Sequence, residues 1–165
     1  MEVTVVEGDI TAQDVDVVVN AANRAMRGGG GVDGAIHRAG GPEVLADCVR
    51  RFPDGLATGD AGWTTAGAMA ARWVVHVVGP NYAAGERDRA LLTSCYSRAL
   101  AVADVLGART VAFPLVSAGI YGWPKDDAVE AAVDTLRSTP TRAEEARLVA
   151  FDAATYDLIA KRLAR

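Results

Sequence analysis

The side chains most able to do chemistry crowd into one stretch. Asn20 and Asn23 precede four consecutive glycines, Gly28 to Gly31, and Asp33 and His37 follow them. Four glycines in a row are entropically costly, which points to close backbone approach to a ligand or to unusual torsions. They run into a helical pattern, Val32 to Ala39, and a helix N-terminus offers unpaired N–H groups to an anion. Asp33, at the start of that helix, can serve as a general base or simply complement the dipole. His37 lies one turn on, on the same face. A packed, hydrogen-bonded histidine is the ordinary outcome at such a place. Residues 29 to 34 also spell G-x-G-x-x-G, with Asp54 about 20 residues on. The dinucleotide fingerprint needs its first glycine in the turn right after a strand, and here Asn20 to Arg27 intervene.

A second glycine-bearing loop, Ser117-Ala118-Gly119-Ile120-Tyr121-Gly122, follows another apolar run. Backbone N–H groups of such a loop can form an anion-binding concavity. Two such loops beside one sheet suggest a ligand with a phosphate-rich middle, such as a diphosphate. Neither loop holds a lysine and there is no G-x-x-x-x-G-K-[ST], which rules against an NTPase. Gly8-Asp9-Ile10-Thr11 and Phe151-Asp152 supply further polar and aromatic groups at the ends of apolar runs. With two histidines and two cysteines outside any C-x-x-C pair, no zinc-ligand set is present.

These groups need elements to position them. Strand-like runs cover Glu2–Val6, Asp16–Val19, Gly62–Thr65, Trp73–Val78, Thr110–Leu115 and Arg147–Phe151. Several are nearly continuous in hydrophobicity, as strands buried on both faces are. Helical patterns alternate with them at Val32–Ala39, Pro42–Arg51, Arg87–Leu106, Lys125–Leu136 and Thr155–Leu163. Alternation predicts an α/β fold, a three-layer α/β/α sandwich. The first two strands are too close in sequence for a crossover helix between them, so the central sheet is expected to be mixed and mostly parallel. In such sheets ligands collect beyond the carboxyl ends of the strands, where the loops above lie.

The 165 residues fit one domain, 1–165, and no repeat or linker divides them. The net charge of -4 argues against general affinity for nucleic acid. The acidic start MEVTVVEGD does not suit a secretory signal. No apolar run approaches the roughly 18 residues of a membrane span. Cys48 and Cys95 read as core residues in a reducing compartment, so a cytoplasmic location is expected. The chain is expected to act as a monomer.

Taken together, Gly8 to Thr11, Val18-Val19-Asn20-Ala21-Ala22-Asn23, the glycine run with Val32-Asp33-Gly34-Ala35-Ile36-His37, Thr58-Gly59-Asp60-Ala61, His76-Val77-Val78-Gly79-Pro80 and Ser117 to Gly122 resemble the macrodomain family. The stretch from the glycines to His37 is similar to the MacroD-type hydrolases in particular. The resemblance implies a site for ADP-ribose, with no cofactor and no metal. It assigns Asp9 and the Ile10 N–H to adenine and Phe151 to stacking on it. It places Asn23 on the distal ribose and Asp33 near the anomeric carbon. Gly28, Gly29, Gly30, Gly31 and Val32 form the loop around that ribose, and Ser117, Ala118, Gly119, Ile120 and Tyr121 the loop over the diphosphate. Relatives often carry Ser-Thr-Gly where this chain has Ser117-Ala118-Gly119, so one hydroxyl is missing.

The activity so implied is release of ADP-ribose from modified Asp and Glu side chains of proteins, and deacetylation of O-acetyl-ADP-ribose. Asn23 and Asp33 are the catalytic candidates: Asn23 orients the ribose, while Asp33, a substrate phosphate or both activate a water. A non-catalytic module that reads ADP-ribose is the alternative, although a reader has no need of a carboxylate beside Asn23. A nicotinamide-dependent oxidoreductase would rest on the poorly placed glycine fingerprint alone.

Overall fold

The computed structural model describes residues 1–165. Six strands form one sheet: β1 (Glu2–Glu7), β2 (Val17–Ala22), β3 (Ala61–Thr65), β4 (Trp73–Val78), β5 (Thr110–Phe113) and β6 (Glu145–Ala150). Five helices surround it: α1 (Gly31–Gly40), α2 (Pro42–Arg51), α3 (Arg89–Leu106), α4 (Lys125–Ser138) and α5 (Ala153–Leu163). The strand order is β1-β6-β5-β2-β4-β3. Every neighbouring pair is parallel except β3 with β4, so the sheet is mixed and mostly parallel, as expected.

The antiparallel member is not where the sequence reasoning put it. β1 and β2 run in the same direction, with β6 and β5 between them. Residues 8–16 join them with only a 3-10 turn at Ile10–Ala12. Extended chain of that length reaches about 30 Å. The return needs about 20 Å along a six-residue strand and about 14 Å across three strand spacings. A short, mostly extended link therefore suffices. The antiparallel edge instead comes from β3.

Alternation along the strands sorts side chains into two layers. Val17, Val19, Val75 and Val77 join residues of α3 and α4 in the larger core, which also holds Phe113, Leu148 and Ile159. Val18 and Val74 turn the other way, against Ile36 of α1. By the same period Asn20 and His76 face the α1 side, and they are direct partners in the β2–β4 register. Two polar side chains thus enter the smaller layer side by side, both buried. Close packing of the glycine loop on α1 depends on Gly34, whose added Cβ would lie 2.6 Å from the Gly29 carbonyl oxygen. Both cysteines are free and buried, as read from the sequence. No helix is long and apolar enough to cross a membrane.

Candidate functional site

The polar centre is built from β2, β4 and α1. Asn20 lies inside β2, not at its end, and is fully buried. Its amide donates to Asp33 Oδ1 at 2.8 Å and to His76 Nδ1 at 3.0 Å. His76 then carries its proton on Nε2, which meets Thr64 Oγ1 at 2.8 Å, and the Thr64 hydroxyl donates to the Thr65 carbonyl at 3.0 Å. Every N–H and O–H of this chain then finds an acceptor, and Cys48 Sγ lies 3.7 Å from the same His76 Nε2. Turning the Asn20 amide over would aim its oxygen at a carboxylate. The unpaired Asn20 Oδ1 is what the arrangement leaves over. Burial above all, with the nearby His37, pushes the His76 imidazole down to about 3, which keeps it neutral.

The consequence falls on Asp33, in the first turn of α1 and 5% exposed. Its Oδ1 is held by Asn20 and lies 3.4 Å from His37 Nε2. Its Oδ2 faces the glycine loop, 3.2 Å from where a Cβ on Gly29 would be, and Asn23 Nδ2 lies 3.4 Å from that same point. Asn23 also has a structural duty, accepting from Met26 N–H and donating to the Gly28 carbonyl. Both catalytic candidates therefore converge beneath Gly29. No side chain caps α1. None of the amides from Gly28 to Asp33 donates within the protein, the first that does being Gly34. Uncapped N–H groups at a helix start favour an anion.

The second loop shows the same availability. The amides of Ser117, Gly119, Ile120 and Tyr121 have no internal acceptor, while Ala118 N–H bonds Leu115 and Gly122 N–H bonds Gly119. Ser117 adopts φ +65, a left-handed conformation that costs a non-glycine residue, and its hydroxyl is buried without a partner. The Tyr96 phenol oxygen accepts from Val116 N–H at 3.0 Å and fixes the root of this loop. Ile120 is exposed at the tip.

At the far edge, Gly8 N–H bonds the Ala150 carbonyl at 3.0 Å, so the residues just beyond β1 and β6 lie side by side. Asp9 caps the 3-10 turn: its Oδ1 accepts from Thr11 N–H and from the Thr11 hydroxyl, and Oδ2 stays free. Phe151 is 91% exposed, which removes it from the core. The structure thus gathers the sequence candidates along one edge of the sheet, in the order Asp9 and Phe151, then Ser117–Tyr121, then Asn23 and Asp33.

Thr64 and the role of His76 were not apparent from the sequence. Period-two alternation puts His76 on one face, yet only strand register makes it the partner of Asn20. Arg24, Thr58, Asn81 and Glu86 were also missed. They line, with Asn23 and Tyr121, a cavity of about 440 Å³ at the end of β4. No cluster of three or more His, Cys, Asp or Glu side chains is placed to hold a metal ion.

A three-layer sandwich with two amide-rich loops over the carboxyl edge of its sheet defines an anion-binding α/β module. Residues 19–132 match the Macro domain family, and the chain belongs to it. A macro domain-containing protein of Streptomyces coelicolor is 54% identical over 98% of each chain. An O-acetyl-ADP-ribose deacetylase of Pantoea vagans is 45% identical, again over 98% of each. Among solved structures, a glycine-to-valine variant of the Oceanobacillus iheyensis macrodomain with ADPR has a TM-score of 0.89 at 34% identity, covering 97% of this chain and 90% of the other. The Trypanosoma brucei macrodomain in complex with ADP-ribose has a TM-score of 0.88 at 34% identity, covering 98% of this chain and 68% of the other.

Proposed function

We propose that this protein binds ADP-ribose along the carboxyl edge of its sheet and hydrolyses acyl esters of it, in the manner of the MacroD-type enzymes. The substrates are ADP-ribosylated Asp and Glu side chains and O-acetyl-ADP-ribose. The observation that carries this reading is the orientation of Asp33. One of its oxygens is tied down by a buried amide, and the other is turned toward Asn23 and the uncapped amides of the glycine loop.

Adenine lies between Asp9 and Phe151, with the free Asp9 Oδ2 accepting from its exocyclic amine. The diphosphate sits between the two loops and takes their unpaired N–H groups. The distal ribose meets Asn23, whose amide has one hydrogen left after bonding Gly28. A water between the ribose and Asp33 gives its proton to Oδ2 as it attacks, alone or with help from a substrate phosphate. If the water attacks the sugar carbon, the leaving group is a carboxylate, whose conjugate acid has a pKa of about 4, so it needs no general acid. If it attacks the acyl carbon, the ribose oxygen leaves and takes back the proton that Asp33 received. Most of the acceleration comes from positioning and fixed dipoles. No metal or cofactor takes part.

Two buried, free cysteines suit a reducing cytoplasm, where we place the protein, acting as a monomer. Calorimetry with ADP-ribose, followed by deacetylation of O-acetyl-ADP-ribose, tests the reading. Micromolar or tighter binding with turnover supports it. Binding without turnover returns the protein to the reader class, and no binding removes the assignment.

A further inference from the structure

The cleft does not end at Asn23. Across the sheet the strand ends follow the order β1, β6, β5, β2, β4. A ligand with adenine at β1 and β6 and diphosphate at β5 arrives at Asn23, past the end of β2, with one parallel strand end still ahead. The 440 Å³ cavity opens there, at Val78 and Gly79, and shares Asn23 and Tyr121 with the site. Its size falls in the ~300–1,000 Å³ range of ligand clefts and exceeds what an acetyl group would need.

Its polar groups are unbalanced. Glu86 accepts at both oxygens, from Arg24 Nη1 at 3.2 Å and from Asn81 N–H at 3.0 Å. Asn81 Oδ1 is occupied by Ala84 N–H at 3.2 Å. Both Glu86 oxygens and the Asn81 amide oxygen thus already hold partners, while several donors hold none. Arg24 keeps most of its guanidinium N–H groups, the Asn81 amide nitrogen bonds nothing, and the Thr58 hydroxyl is buried with no partner. A buried hydroxyl left unpaired calls for an explanation. The one cation is already paired, so the cavity is electrically neutral and rich in donors. Such a surface suits carbonyl oxygens better than another phosphate or an alkyl group.

We infer that this cavity receives the polypeptide segment that carries the ADP-ribose, with Arg24, Thr58 and Asn81 donating to its backbone carbonyls. The inference rests on the ADP-ribose reading above. It makes the protein a hydrolase that distinguishes a modified polypeptide from the small acetyl ester through contacts beyond the ribose.

The test compares three quantities in the parent, in Ala25→Trp, which fills the cavity from its exposed rim, and in Arg24→Ala. They are kcat/KM on an ester-linked ADP-ribosyl peptide, kcat/KM on O-acetyl-ADP-ribose, and Kd for ADP-ribose, with thermal midpoints to confirm folding. Ala25→Trp should lower peptide turnover by about tenfold or more, and Arg24→Ala by several-fold, the scale of one or two lost hydrogen bonds. Turnover of O-acetyl-ADP-ribose and the Kd should stay within about twofold, a difference too small to count as a lost contact. If Kd and both turnovers fall together, the cavity holds ADP-ribose itself and the inference is wrong. If peptide turnover is unchanged in both variants, nothing docks there. A parent that binds no ADP-ribose overturns the functional reading first and this inference with it.

Discussion

The two ends of the cleft are built on opposite plans. At the ribose end Asp33 is 5% exposed and is fixed through Asn20, His76 and Thr64, so its geometry is settled before any ligand arrives. At the adenine end Phe151 is 91% exposed and Asp9 is held only by its own turn. The open end can contribute affinity through stacking, with little cost to the fold when altered. The buried end contributes orientation, and changes there reach both chemistry and stability. On the proposed function, affinity and catalysis fall to separate residues.

The middle of the cleft offers the sharpest break. Gly119 has no positive φ, and a Cβ there would meet nothing within 4 Å, so a larger residue does not disturb folding. Gly119→Glu should abolish ADP-ribose binding by placing a carboxylate in the volume of the diphosphate. Calorimetry showing unchanged affinity would remove residues 117–122 from the site. At the open end, Phe151→Ala should weaken binding by roughly 1–3 kcal/mol, the value of one base–aromatic stack. The thermal midpoint should not move, and a falling midpoint at constant affinity would reverse the contrast between the two ends.

At the buried end, His76→Phe removes the acceptor that orients the Asn20 amide. It should cut kcat by about tenfold, the scale of one hydrogen bond, with little change in KM. His76→Gln, which keeps an acceptor, should recover part of the loss. Equal kcat in all three proteins would mean that the network is structural only. His76 also imposes a pH dependence on folding. It is held at about 3, against an ordinary value of about 6.5. The unfolded chain takes up a proton between those values and the native protein does not. Its stabilising contribution is complete above pH 6.5 and declines as pH falls toward 3, by up to about 1.4 kcal/mol per unit. Asp47, Asp127 and Glu145, whose carboxyls are held below their ordinary range, act mainly at lower pH. Denaturation between pH 6.5 and 5 should therefore show a steeper slope in the parent than in His76→Gln. Parallel slopes would mean that burial does not hold His76 neutral.

The smallest expected signal is on a serine-linked peptide. A serine alkoxide is a poor leaving group and needs a general acid, and both oxygens of Glu86, the carboxyl in the β4 cavity, are engaged as acceptors. Release should not rise above the uncatalysed background, and a rate equal to that on an ester would reveal an acid elsewhere in the site.

Much of this was legible in the sequence because it depended on local signals. Apolar runs gave the strands, the glycine run marked the loop, and Asp33 and Asn23 stood out by their place beside it. What was not legible depended on register and strand order. The pairing of Asn20 with His76 needs β2 and β4 to be aligned. The parallel course of β1 and β2 follows from β6 and β5, distant in sequence, closing the gap between them, whereas the antiparallel edge comes from β3 pairing with β4, the next strand in the chain. The cavity at β4 likewise arises only once residues 24, 58, 81 and 86 are brought together, and the exposure of Phe151 only once the chain beyond β6 is placed at the sheet edge.

The central claim is that Asp33 carries the chemistry and not the binding. Single-turnover release of ADP-ribose from an ester-linked peptide, measured for the parent and for Asp33→Asn with Kd for ADP-ribose beside it, tests this most directly. Loss of a general base costs about 10²- to 10⁴-fold. Release should fall by that order while Kd changes by no more than about threefold, less than one lost hydrogen bond to a charged group would cause. Release at the parental rate, or a loss of affinity that matches the loss of rate, would contradict the account.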